Sequence, residues 1–232
     1  MESIQYLIDL FIQFMDVILH LDVHLNEWVT AFGPWIYVIL FLIIFCETGL
    51  IILPFLPGDS LLFALGALTA TENAFLSLPI LAVSLIIAGI LGDAVNYSIG
   101  RFSGPKIFSR ADSFWLNKKH LAKTQAFYDK HGGKTIILAR FMPIVRTFAP
   151  FVAGMGQMEY RKFAAYNVIG AVVWVLSFLF AGSFFGNLPA VKQNFHVVIF
   201  AIIIISFMPV AIEIVKAYFE KKRSLQASKS ST

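Results

Sequence analysis

The 232-residue chain has a single cysteine, Cys46. An internal disulfide is excluded, and cysteine usage carries no information about redox compartment. Charge is scarce as well. Asp, Glu, Lys and Arg make up 14% of the residues, where an average soluble domain has about 25%. No Lys or Arg precedes Arg101, so the first hundred residues hold nine of the 14 acids and none of the 18 bases. Without a basic n-region, a cleavable signal peptide is not expected. Catalytic motifs are missing too: there is no G-x-S-x-G, no H-E-x-x-H and no Walker loop. Gly58-Asp59-Ser60-Leu61 matches the short signature of GDSL hydrolases, but their D-x-x-H partner block is absent. The basic and Ser/Arg/His blocks of membrane lipid phosphatases are absent as well. No enzyme, cofactor, metal site or nucleic-acid partner is read from this sequence.

Apolar sequence is what the chain does have. It is 58% hydrophobic with 24 phenylalanines, and its mean hydropathy is +0.77. This is the composition of a polytopic membrane protein. A spanning helix needs about 20 apolar residues, and three segments meet that length: Pro79–Ile99, Phe163–Phe185 and Val197–Lys216. Other apolar stretches fall short. Trp35–Cys46 reaches about 18 Å at 1.5 Å per residue, and Pro54 and Pro57 then interrupt it. Leu61–Ala70 is shorter still. Two half-length legs meeting at PFLPGD read as a re-entrant hairpin over residues 35–70, with Gly58 at its tip. Residues 135–158 repeat the pattern, with Pro143, Pro150 and Gly154 as tip residues. One kinked span from Trp35 to Pro57 is the alternative reading of the first hairpin.

The positive-inside rule orients these pieces. Residues 101–134 carry eight Lys/Arg, and the tail, 217–232, carries Lys221, Lys222, Arg223 and Lys229. Both belong in the cytoplasm. The first half, 31–100, then has a hairpin dipping from outside, and the second half, 135–216, has one dipping from inside. The expected fold is an all-α polytopic membrane protein. It is an inverted repeat of two opposed re-entrant hairpins, each followed by a transmembrane helix, with a C-terminal transmembrane helix added. IGRFSG (Ile99–Gly104) resembles AGSFFG (Ala181–Gly186), and little else aligns between the halves. Residues 1–30 read as an amphipathic helix, with Asp9, Gln13, Asp16, His20 and Glu27 on one face. Whether it lies on the membrane or crosses it is open. His20 and His24 have metal-ligand spacing, but a solvated polar stripe is the simpler reading.

Five charges fall at membrane depth: Glu47, Asp59, Asp93, Arg140 and Arg146. Each costs roughly 2.5–3.5 kcal/mol at a helix centre. Pairing between arginine and carboxylate offsets part of that, and together they suggest one polar chamber. The acids suit proton exchange and the two guanidiniums suit a phosphate. Asp93 ranks second, because Gly89, Asn96 and Gly100 on its face point to close helix packing, as do Asn167, Gly170, Ser177 and Ala181 in the later span.

FCETGLIILPFLPGDSLLFALGAL, GDAVNYSIGRFSG and ILARFMPIVRTFAPFVAGMGQM resemble the DedA family of bacterial inner-membrane proteins, over residues 20 to 215. The shared pattern is an acid before P-x-x-P-G-D, then R-F-x-P-x-x-R-T with a later P-x-x-A-G. The resemblance implies a fold similar to the VTT-domain lipid scramblases, and return of undecaprenyl phosphate across the inner membrane in a way that depends on proton motive force. It places the family's important acids on Glu47 and Asp59 and its important arginines on Arg140 and Arg146. The expected function is therefore proton-linked flipping of a lipid phosphate by a multi-pass inner-membrane protein with a cytoplasmic C-terminus. Its partners would be that lipid and protons, with the oligomeric state open. Three alternatives differ in what they predict. A small-ion or drug/proton antiporter works without lipid substrate. A passive phospholipid scramblase shows little headgroup selectivity and no pH dependence. A non-transporting assembly factor tolerates charge-swapped pairs such as Glu47→Arg with Arg140→Glu.

Overall fold

The structure is a computed structural model that describes residues 5, 21–50, 58–71, 75–109, 132–186, 188–206, 208 and 212. Among these residues all regular structure is helical. The expected tip residues Pro54 and Pro57, most of residues 1–30, the core of the basic loop and the basic tail lie outside them.

Helix α1 (Leu21–Phe32) runs into a 3-10 turn at Gly33–Trp35. Gly33 has φ +52, a left-handed conformation that costs glycine little. Pro34 sits early in the turn, where its missing N–H is no loss. Helix α2 (Ile36–Gly49) follows directly. Helical structure thus extends well before Trp35, the expected start of the first leg. The stretch Glu27–Gly49 has 23 residues, long and apolar enough to cross a membrane.

Helix α2 stops at Leu50, which is extended at φ −105, ψ 119. Helix α3 (Gly58–Thr69) is short and almost wholly buried. Helix α4 (Leu78–Ser109) is the longest, at 32 residues. In the second half, α5 (Lys134–Ala139) ends at a turn through Arg140 and Phe141. Met142 is extended, at φ −121, ψ 106, as a residue before proline prefers. Pro143 then opens α6 (Pro143–Met155), a position where a missing N–H is harmless. The break is therefore made by residues 140–143. Pro150 and Gly154, expected at the tip, lie inside α6 instead. Helix α7 (Tyr160–Phe185), the short α8 (Pro189–Gln193) and α9 (Phe195–Ser206) complete the described chain.

Two long helices organise the bundle. Leu78–Ser103 of α4 and Tyr160–Phe185 of α7 each supply 26 residues apolar enough to span, about 39 Å of helix at 1.5 Å per residue. Helices α2 and α6 pack on α4, and α3 and α5 pack on α7. The short helix after each break therefore lies on the long helix of the other half. Glycines permit this. A Cβ on Gly66 of α3 would overlap the Leu179 carbonyl, and one on Gly182 of α7 would overlap the Phe63 carbonyl. The same exchange occurs at the other crossing, where Gly154 of α6 meets the Tyr97 carbonyl and Gly100 of α4 meets the Phe151 carbonyl. Backbones approach this closely only where small residues face them.

The main core centres on Leu62, Leu65, Leu81, Leu85, Trp174 and Leu179, all buried. Helix α9 adds Phe195 and Ile199 to it. A smaller cluster includes Tyr97, Ile136, Ala153 and Phe163. On the outer side of α4, Val83, Ile87, Leu91, Val95 and Ile99 form an exposed apolar row at i,i+4 spacing. Such a row suits lipid rather than water.

Candidate functional site

The break after α2 brings two acids together. Glu47 sits in the last turn of α2 and Asp59 in the first turn of α3. The Gly58 N–H, an orphan donor at the start of α3, donates to Glu47 Oε1 at 3.2 Å. A side chain at Gly58 would occupy the space of the Glu47 carboxylate, so this close approach requires glycine. The arrangement ties the end of α2 to the start of α3 even though α3 packs on α7 and not along α2.

The break before α6 supplies the cation. Arg146 lies in the first turn of α6, where the helix dipole disfavours positive charge. The two acids from the first half offset this. Arg146 Nη1 donates to Asp59 Oδ1 at 2.8 Å, and Arg146 Nη2 donates to Glu47 Oε1. Asp59 is held from two further directions. Trp174 Nε1 of α7 donates to its Oδ1 at 2.8 Å, and the Ser206 hydroxyl of α9 donates to its Oδ2 at 2.7 Å.

A second group surrounds Arg140 at the end of α5. Its Nη2 lies 2.6 Å from Asp93 Oδ2, 2.5 Å from Asn167 Oδ1 and 3.1 Å from the Gly89 carbonyl. Asn167 in turn donates to the Ile90 carbonyl at 3.0 Å. The two groups adjoin across one ring: the Arg146 and Arg140 guanidinium carbons lie 5.1 and 5.8 Å from the Trp174 centroid. Asn96 stitches the halves together beside them, donating to the Thr48 carbonyl at 3.1 Å and the Thr147 carbonyl at 2.6 Å.

All five charges read from the sequence are thus interior and paired. The pairing differs from the one suggested above: Glu47 meets Arg146, not Arg140, and Asp93 is the direct partner of Arg140. They do not line an open chamber, since none is more than 4% exposed. The network also has loose ends. Among the described residues, Glu47 Oε2, Arg140 Nε, Asn96 Oδ1 and Ser60 Oγ are buried without a hydrogen-bond partner.

Sequence reasoning missed Trp174 and Ser206 and read Asn167 only as packing. A signal for Trp174 was present. Trp in a spanning helix favours the membrane interfaces, whereas Trp174 sits near the middle of α7, seven residues after Asn167 and on the same face. Nothing in the sequence marks Ser206.

Comparison with known proteins places the sequence among membrane proteins. Residues 56–184 match the VTT domain family model. The chain is 57% identical over 221 residues to Protein DedA of Escherichia coli (strain K12), covering 95% of this chain and all of that protein. It is 38% identical over 197 residues to the uncharacterized membrane protein Rv0364 of Mycobacterium tuberculosis (strain ATCC 25618 / H37Rv), covering 85% and 86%. It is 33% identical over 159 residues to inner membrane protein YqjA of Escherichia coli (strain K12), covering 66% and 69%. No solved structure matches.

Proposed function

The chain belongs to the DedA family of VTT-domain membrane proteins, and from that premise we propose that it translocates a lipid phosphate, undecaprenyl phosphate by preference, across the bacterial inner membrane in a proton-linked cycle. The observation that carries this reading is Arg146 of the second half clasped between Glu47 and Asp59 of the first, with all three buried. A guanidinium fork that binds two carboxylates also fits a phosphate.

The charge count links the two substrates. Glu47, Asp59 and Asp93 against Arg140 and Arg146 leave one negative charge in excess. A phosphate added to this buried group increases the excess unless protons arrive with it, and buried unpaired charge is strongly disfavoured. Protonation of Glu47, whose Oε2 is open to a proton, weakens its hold on Arg146. The arginine is then available to the incoming phosphate. Departure of phosphate and proton restores the clasp. In this reading the described arrangement, with all five charges buried and paired, is the occluded one.

We read α2–α3 and α5–α6 as the two opposed re-entrant hairpins of an inverted repeat. The exchanged packing on α4 and α7 supports this, as does the matched pair of glycine crossings. Discontinuous helices at a repeat interface are where transporters bind charged substrates. The isoprenoid tail stays in lipid and only the headgroup enters. The C-terminus is cytoplasmic, and the protein is a transporter rather than an enzyme.

Reconstitution tests the reading. Leaflet exchange of undecaprenyl phosphate in liposomes should accelerate with wild-type protein, respond to an imposed pH gradient and fall to the protein-free rate with Arg146→Lys, which keeps the charge but loses the fork. Exchange of zwitterionic phospholipid at the same rate, unaffected by pH, would indicate passive scrambling instead.

A further inference from the structure

We infer that Trp174 is a positioning residue for lipid-phosphate recognition, its ring aligning both arginines and its N–H aligning Asp59; this rests on the translocation reading above. Three observations carry it. The side chain is fully buried. Its indole nitrogen donates to the Asp59 oxygen that also receives Arg146. Its ring lies within 6 Å of both guanidiniums, at 5.1 and 5.8 Å, a separation at which cations are attracted to an aromatic face.

The placement matters because the other contacts of the arginines change identity during a cycle. Carboxylates hold the guanidiniums in the clasped arrangement, and a phosphate must replace at least one of them. The ring needs no exchange and keeps both guanidiniums oriented while their anionic partners are swapped. A guanidinium without that face recovers rotational freedom, and ordering it again weakens phosphate binding. The N–H has a separate effect. It fixes the Asp59 carboxylate between α3 and α7, so that Asp59 releases and recaptures Arg146 from one geometry.

Two substitutions separate these roles. Trp174→Phe keeps an aromatic face and loses the donor. Trp174→Leu removes both while retaining an apolar side chain of smaller volume. With a fluorescently labelled polyprenyl monophosphate in proteoliposomes, Trp174→Phe should lower the maximal rate about fivefold and hold half-saturation within twofold. Trp174→Leu should raise half-saturation tenfold or more, equivalent to about 1.4 kcal/mol. A ring that only fills space predicts equal half-saturation in all three proteins, and that result overturns the inference while leaving translocation standing. A wild-type protein without saturable transport overturns both.

An independent measurement covers a Trp174→Leu variant that fails to fold. Trp28, Trp35 and Trp115 are the other tryptophans, and replacing each with Phe leaves Trp174 as the sole tryptophan, excited selectively over the tyrosines. Its emission should respond saturably to polyprenyl monophosphate and not to the corresponding polyprenol. No response, or an equal response to the alcohol, overturns the inference.

Discussion

Arg146 is the side chain on which most of the buried charge depends. Its removal in Arg146→Ala leaves Glu47 and Asp59 facing each other inside the bundle. Breaking a buried pair in this way costs about 3–5 kcal/mol. Thermal unfolding in detergent should show a clear loss of stability for Arg146→Ala and a smaller one for Arg146→Lys. Gly58 is the companion case. Gly58→Ala places a methyl group where the Glu47 carboxylate lies, so that carboxylate must shift away from the helix start, which disturbs its contact with Arg146. Transport should fall tenfold or more although no charge has changed, and a normal rate would show that the Glu47 contact is dispensable. The candidate charges themselves were legible in the sequence, because Glu47, Asp59, Asp93, Arg140 and Arg146 interrupt apolar surroundings and each is costly there. Their partners were not. Arg140 and Arg146 have the same chemistry and lie six residues apart, and only the direction of the chain through 140–143 decides that one faces Asp93 and the other faces the α2–α3 break. Ser206 was invisible for a similar reason: a serine in an apolar helix usually bonds to its own backbone.

At the scale of elements, local chemistry set the breaks and tertiary packing set where the pieces went. Pro143 and the extended residue before it could be read as a helix start, and they are one. Pro150 could not be placed from sequence, since a proline can mark a turn or sit within a helix whose neighbours compensate. The short helices are explained by their crossings. Ile99–Gly104 and Ala181–Gly186 resemble each other because Gly100 and Gly182 do the same work, each admitting the backbone of a short helix from the opposite half. Overpacking of such a contact costs about 1–3 kcal/mol. Gly154→Leu should therefore push α6 off α4 and lower the unfolding midpoint, and Gly66→Leu should do the same to α3 on α7. Displacement of α6 also carries Arg146 away from its acids, so the first variant should lose transport too. Equal stability in wild type and both variants would mean that the crossings are looser than described.

For the whole molecule, composition made the all-helical membrane class plain, and the exposed row on α4 shows why: an outer surface so apolar suits lipid rather than water. Orientation is argued from the basic segments alone. In a Cys46→Ser background, a cysteine at Ser224 should react with a membrane-impermeant thiol reagent only from the cytoplasmic side, and one at Ala190 only from outside. The reverse pattern would invert the proposed topology. The central claim is that the charges joining the two halves serve as a working site and not as a permanent lock. The most direct test is polyprenyl phosphate exchange by the swapped double variant Glu47→Arg with Arg146→Glu, compared with each single variant after all have been shown to be folded. The account predicts that the swap restores an ion pair between positions 47 and 146 yet transports no better than the singles, because the phosphate-binding cation has moved to the wrong helix. Restoration of wild-type exchange by the swap would contradict it.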